Sequence, residues 1–170
     1  MHIRSIGLPD IVALQAISRQ TFVETFSDQN TVANMNQYLR EKLSLEKLTA
    51  ELNDPDSMFF FVEENQQPIG YLKLNKGKAQ TELNDADALE IERIYVLQAY
   101  LGKNIGQLLF NKALAVANEL GASYLWLGVW EENPRAIRFY EKNGFVEFDR
   151  HLFKLGDDEQ TDIMMKLTLR

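Results

Sequence analysis

The chain predicts an α/β fold, a mixed sheet with helices on its faces, and three observations lead there. Short apolar runs of strand length recur along the sequence. Between them lie segments whose apolar residues return at helical spacing. The two alternate in the order β, helices, ββ, β-α-β, α, ββ, which suits layers built on one sheet.

His2 to Ile6 alternates weakly and is short, so it reads as a first strand. Pro9 and Asp10 open a helix with Ile11, Leu14, Ile17, Ser18, Phe22 and Phe26 near one face. Thr31 to Lys42 groups Val32, Met35, Tyr38 and Leu39. Ser44 can cap a third helix, Leu45 to Leu52, which Asn53, Asp54 and Pro55 end. Met58 to Glu63 and Ile69 to Leu74 flank a turn-forming Asn-Gln-Gln-Pro, a hairpin signal. Asn75 to Ala88 is polar and reads as a surface loop. Leu89 to Leu97 is the clearest strand, and Ile105 to Leu120 the clearest helix, closed by Gly121. Tyr124 to Val129 is a short apolar strand. Pro134 to Asn143 is a short helix capped by Asn133, with Gly144 at its end. Phe145 to Leu155 and Asp162 to Leu169 complete the set as an antiparallel pair.

With 170 residues and no low-complexity linker or repeat, one domain spanning 1–170 is expected. The absence of cysteine excludes a thiol nucleophile, a disulfide framework and a Cys-ligated zinc. The two histidines, His2 and His151, stand far apart, so no metal site is expected. A net charge of −7 argues against nucleic acid, whose binding depends on neutralising phosphates, and would draw cations such as polyamines. The N-terminus lacks the build of a signal peptide and no apolar run would span a bilayer. A cytoplasmic protein without a membrane partner is the resulting expectation.

Three segments could carry chemistry, and each has a plain alternative. Leu101-Gly102-Lys103-Asn104-Ile105-Gly106-Gln107 joins the best strand to the longest helix. Its backbone N–H groups and the helix dipole could hold a pyrophosphate, or its glycines could serve the turn alone. The spacing fits neither a P-loop nor a dinucleotide fingerprint. Glu90 and Glu92 share a strand face, read as continuing through Ile94 and Val96, with Leu89, Ile91 and Tyr95 on the other. They could form a general base or merely the polar side of a strand. Asn133 and Tyr140 bracket the short helix as ligand contacts, or as its cap and part of its core.

Taken together, IERIYV, the Gly-bearing turn into a long helix, and WLGVWEENPRAIRFYEKNGF resemble the acetyl-CoA-binding core of the GNAT N-acetyltransferases. The likeness covers about Met58 to Leu169. FVETFSDQNTVANMNQYL, LEIERIYV, YLWLGVWE and KLGDDEQTDIMMKL are similar to the PaiA-type spermidine/spermine N-acetyltransferases in particular. The resemblance implies a mostly antiparallel central sheet of about seven strands with helices on both faces. It also implies an enzyme that moves acetyl from acetyl-CoA to a primary amine, without a metal. Two positions depart from the family pattern: Leu101 replaces a polar residue of the pyrophosphate loop, and Asn104 replaces a glycine. Asn is the next-best residue for the left-handed geometry a glycine there would take.

By the same resemblance, Ile94, Tyr95 and Val96 would hold the pantetheine arm, and Gly102, Lys103, Asn104, Ile105, Gly106 and Gln107 the pyrophosphate. Asn133 and Tyr140 would also touch the cofactor, Tyr140 protonating the leaving thiolate. Glu92, with Glu90 as the alternative, would take the acceptor's proton. An alkylammonium of pKa near 10.4 needs roughly 4–5 kcal/mol to free its lone pair at pH 7. Phe26, Asn30 and Tyr38 would line the acceptor side. A peptide or protein α-amine is the rival acceptor, and a non-catalytic CoA-binding sensor the rival class. GNAT proteins often pair, which leaves a homodimer open.

Overall fold

The computed structural model describes residues 1–170. In chain order its elements are β1 (His2–Ser5), α1 (Ile11–Phe26), α2 (Val32–Lys42), α3 (Leu45–Asn53), β2 (Ser57–Glu64), β3 (Gln67–Asn75), β4 (Ala88–Val96), α4 (Ile105–Leu120), β5 (Tyr124–Trp130), α5 (Pro134–Lys142), β6 (Val146–Leu155) and β7 (Asp158–Thr168). The seven strands form one sheet in the order β1-β2-β3-β4-β5-β7-β6. All neighbours run antiparallel except β4 and β5.

Helix ends follow local chemistry. Thr31 and Ser44 accept N–H bonds at the starts of α2 and α3, and Asn133 Oδ1 accepts from Ala136 at the start of α5. Gly121 ends α4 in the left-handed conformation. Asn65 and Gln66, both at positive φ, make the tight β2–β3 turn. The strands therefore reach closer to the turn than the sequence suggested. β7 also begins four residues before the expected Asp162, because Asp158 to Thr161 pair with Leu152 to Leu155 of β6.

Each face of the sheet has its own core. On one, α4 and α5 bury Ile105, Leu109, Phe110 and Tyr140 against Leu72, Leu89, Ile91, Leu125 and Leu127. On the other, α1 to α3 bury Leu14, Ile17, Phe22, Leu39 and Leu48 against Phe59, Phe61, Tyr71 and Trp130. Two departures from regular strand geometry position the site. β4 and β5 pair only over Ala88–Glu90 and Tyr124–Trp126, then separate into an open wedge. Within β4 the register with β3 jumps from Lys73↔Arg93 to Leu74↔Ile91, leaving Glu92 as the extra residue of a β-bulge.

The bulge corrects the expected face assignment. Strict alternation would put Ile94 and Val96 with Glu90 and Glu92. The additional residue shifts the phase, so Ile94 and Val96 join Leu89 and Ile91 in the α4-side core, while Tyr95 packs on the α1–α3 side.

Candidate active site

The wedge between β4 and β5 leads into a groove of about 520 Å³ lined by Ile94, Tyr95, Val96, Gly102, Asn104, Ile105, Gly106, Gln107, Asn133 and Tyr140. Past Glu90, β4 has no neighbour on this side, so backbone groups that a closed sheet would pair face the groove instead. At its far end, none of the six N–H groups from Gly102 to Gln107 is taken up within the chain. Asn104 adopts φ 65° and ψ 17°, the left-handed turn that aims these donors together. Asn thus performs the geometric task of the glycine it replaces. Arg135 adds a cation, its Nη2 3.8 Å from where a Cβ on Gly102 would stand. These donors and the guanidinium fit a pyrophosphate, and the exposed strand edge fits an extended amide-bearing arm.

Tyr140 borders the same groove. Burial pushes its phenol above the ordinary tyrosine range. It therefore keeps its proton at neutral pH.

A second cavity, about 250 Å³, lies on the α1–α3 side of the sheet. Aromatic rings wall it: Phe22 stacks on Tyr38 at 4.2 Å, and Phe26 meets Trp130 at 5.0 Å. Tyr71, Trp126 and Phe153 join the apolar lining, and Glu82, Glu90, Glu92, Arg93, His151 and Asp162 supply its ionisable groups. Phe26, Glu92, Tyr95, Gly128 and Trp130 border cavity and groove alike, so the two meet there.

The β4 carboxylates are held very differently. Glu92 Oε1 accepts from Lys73 Nζ and from Asn75 Nδ2 at 2.8 Å, and Oε2 lies 3.1 Å from Arg93 Nη2. Arg93 in turn grips Glu51 with two bonds of 2.8 and 3.0 Å. Burial opposes the charge on Glu92, but Arg93 and Lys73 outweigh it and draw the carboxyl down to about 2. Glu90 has no ion-pair partner. Burial pushes its carboxyl up, with partial relief from hydrogen bonds donated by Asn75 and Thr81.

The structure brings together most of the residues singled out from the sequence. Phe26, Tyr38, Glu90 and Glu92 border the cavity, and the cofactor candidates border the groove, with two exceptions. Lys103 lies outside the lining, its ammonium over the Tyr100 ring at 5.3 Å. Asn30 touches neither space. Its amide donates to Phe26 O and its Oδ1 accepts from Gln160 Nε2, fastening α1 to the β6–β7 hairpin. Asp157 is likewise bonded to Asn34, so of the acidic DDEQTD stretch only Asp162 borders the cavity.

The segment read as a surface loop, Asn75 to Ala88, forms part of the cavity wall. Gln80 accepts from Trp126 Nε1 at 2.7 Å, and Thr81 bonds Glu90 through both its N–H and its hydroxyl. Asp162 ends the acidic DDEQTD stretch, which suits a polycation, whereas His151 and Glu82 join it only through strand register and this loop.

A wedge between a parallel strand pair, ending in free N–H groups at a helix start, suits an elongated ligand that carries a pyrophosphate. The profile of the Acetyltransferase (GNAT) family matches residues 15–145, and the chain belongs to that family. It is 41% identical over 169 residues to an uncharacterized N-acetyltransferase in the pepI 3' region of Lactobacillus delbrueckii subsp. lactis, covering 99% of this chain and 98% of the relative. It is 25% identical over 170 residues to the spermidine N(1)-acetyltransferase of Thermoplasma acidophilum, covering 98% and 96%. The crystal structure of the PaiA N-acetyltransferase from Thermoplasma acidophilum in complex with coenzyme A superposes with TM-score 0.81, over 99% of this chain and 98% of that one. The protein is an acetyl-CoA-dependent N-acetyltransferase of the GNAT type. No helix is long and apolar enough to cross a membrane.

Proposed function

We propose that the acceptor is a small aliphatic polyamine such as spermidine or spermine, acetylated on a primary amine by direct attack in a ternary complex. The observation that carries this reading is the second cavity. It is walled by aromatic rings, edged by four carboxylates and open to the groove where the thioester would lie. Ring faces and carboxylates attract an alkylammonium chain along its length. The similarity to a spermidine N(1)-acetyltransferase points the same way.

Acetyl-CoA would lie with its pyrophosphate on the N–H groups of Gly102 to Gln107 and its arm along Ile94 to Val96, with Asn133 beside it. The donors face outward before the ligand arrives, so little reorganisation is needed. The amine enters from the cavity past Phe26 and Tyr38, meets the thioester near Gly128, and attacks once it has lost a proton. Tyr140 protonates the thiolate. Glu92 is a poor proton acceptor while Lys73 and Arg93 hold it ionised; its charge instead keeps the bulge and Arg93 in place. Glu90 is more basic, but its oxygens are already engaged by Asn75 and Thr81.

The test is thiol release from acetyl-CoA in the presence of spermidine, spermine, diamines and short peptides, run side by side. Saturable turnover on the polyamines is expected. Turnover confined to peptide α-amines would replace the polyamine reading with a peptide acceptor.

A further inference from the structure

Among the carboxylates bordering the cavity, Glu90, Glu92 and Glu82 all have hydrogen-bonding or ion-pair partners. Asp162 has none, although it is half-buried against the cavity. It stands on β7 opposite His151 of β6 and Trp130 of β5. Its carboxylate leans over Gly128, where a Cβ would come within 3.3 Å of Oδ2. Gly128 borders both the cavity and the groove, so Asp162 reaches the junction where amine and thioester must meet. A side chain at 128 would displace it.

Beside it, His151 Nε2 is 2.9 Å from Glu82 Oε1, and both of these side chains are nearly two-fifths exposed. His151 and Glu82 thus meet at the partly exposed rim of the cavity, on the strand next to Asp162. The opposite wall offers no competing partner: Arg93 is committed to Glu51 and Glu92, and Tyr38 is stacked on Phe22. Ser18, buried on α1, lies beside the Tyr71 hydroxyl with its Oγ making no hydrogen bond of good geometry.

We propose that Asp162 is the proton acceptor of the reaction, docking the substrate's reacting ammonium and removing its proton. This rests on the reading of the cavity as the amine site. The ammonium and carboxylate become a neutral amine and a carboxylic acid. The nitrogen lone pair then forms the C–N bond to the acetyl carbonyl and the C–S bond breaks. Tyr140 protonates the thiolate, and the nitrogen's second proton returns to the Tyr140 oxygen. One proton remains on Asp162 and passes to solvent when the products leave.

Burial holds the Asp162 carboxyl at about 6, with His151 lowering it and Glu82 raising it. It is thus ionised at neutral pH yet more basic than a surface aspartate, as a general base should be. The charged groups facing it are His151 and Glu82 at the rim and Glu90, Glu92 and Arg93 across the cavity.

The test is the pH profile of kcat/KM with spermidine for the wild type, Asp162→Asn, Asp162→Glu and His151→Gln. The wild type is expected to lose activity below about pH 6 with unit slope. Asp162→Asn should fall by about 100-fold and lose that limb, with acetyl-CoA affinity unchanged and Asp162→Glu restoring part of the rate. His151→Gln should move the limb to higher pH, since His151 is what lowers the carboxyl. An Asp162→Asn enzyme within threefold of wild type, its acid limb intact, would overturn the proposal. If the wild type acetylates no amine at all, the polyamine reading falls and carboxyl NMR decides on Asp162. A titration near 6 that moves down when propylamine is added to the CoA complex supports its role, and one unmoved by the amine refutes it.

Discussion

Glu92 shows how a carboxylate bordering the cavity can contribute mainly through charge and structure. It sits between Lys73, Arg93 and Asn75, so replacing it with Gln leaves two buried cations short of a partner. Breaking a buried pair in this way costs about 3–5 kcal/mol. The pH dependence has a definite sign. Because the folded-state carboxyl is lowered to about 2, its stabilising effect is complete above the unfolded value near 4.5 and disappears as pH falls through about 2. Glu92→Gln is therefore expected to melt well below the wild type at pH 7, the gap narrowing below pH 4.5. Calorimetry across that range checks it, and equal melting points at pH 7 would show that the ion pairs add nothing.

Among the elements, those with local signals were legible and those defined by pairing were not. Both ends of α4 could be read because Gly121 closes it and Asn104 opens it with positive φ. The bulge in β4 left only a faint trace, the adjacent polar residues Glu92 and Arg93 inside an otherwise alternating strand. His151 and Asp162 belong to one site only because β6 and β7 pair in a particular register, which no local pattern announces. The β6–β7 hairpin also depends on its tip. Gly156 has φ 66°, and a Cβ there would lie 1.9 Å from Asn34 Oδ1. Gly156→Ala should thus strain the turn and push α2 from the hairpin, breaking the Asn34–Asp157 contact as well. A loss of about 1–3 kcal/mol is expected. Denaturant unfolding measures it, and a neutral result would mean that the α2 contact yields easily.

For the whole molecule, the net charge of −7 acts on the two substrates with opposite sign. Coenzyme A is an anion, and the enzyme's overall field repels it. Arg135 and Lys142 on the groove supply local attraction against that field. A polyamine is drawn by the same field towards a cavity whose rim carries Glu82. Fields of this kind act over about a Debye length, roughly 10 Å at 0.1 M salt, and shrink as salt is added. With spermidine as acceptor, kcat/KM should fall several-fold between about 20 and 200 mM salt while kcat holds steady. A monoamine should show a shallower slope, since steering scales with the charge being steered. Equal slopes for the two amines would mean that the acidic surface does not guide the acceptor, leaving its selection to the aromatic and carboxylate groups inside the cavity.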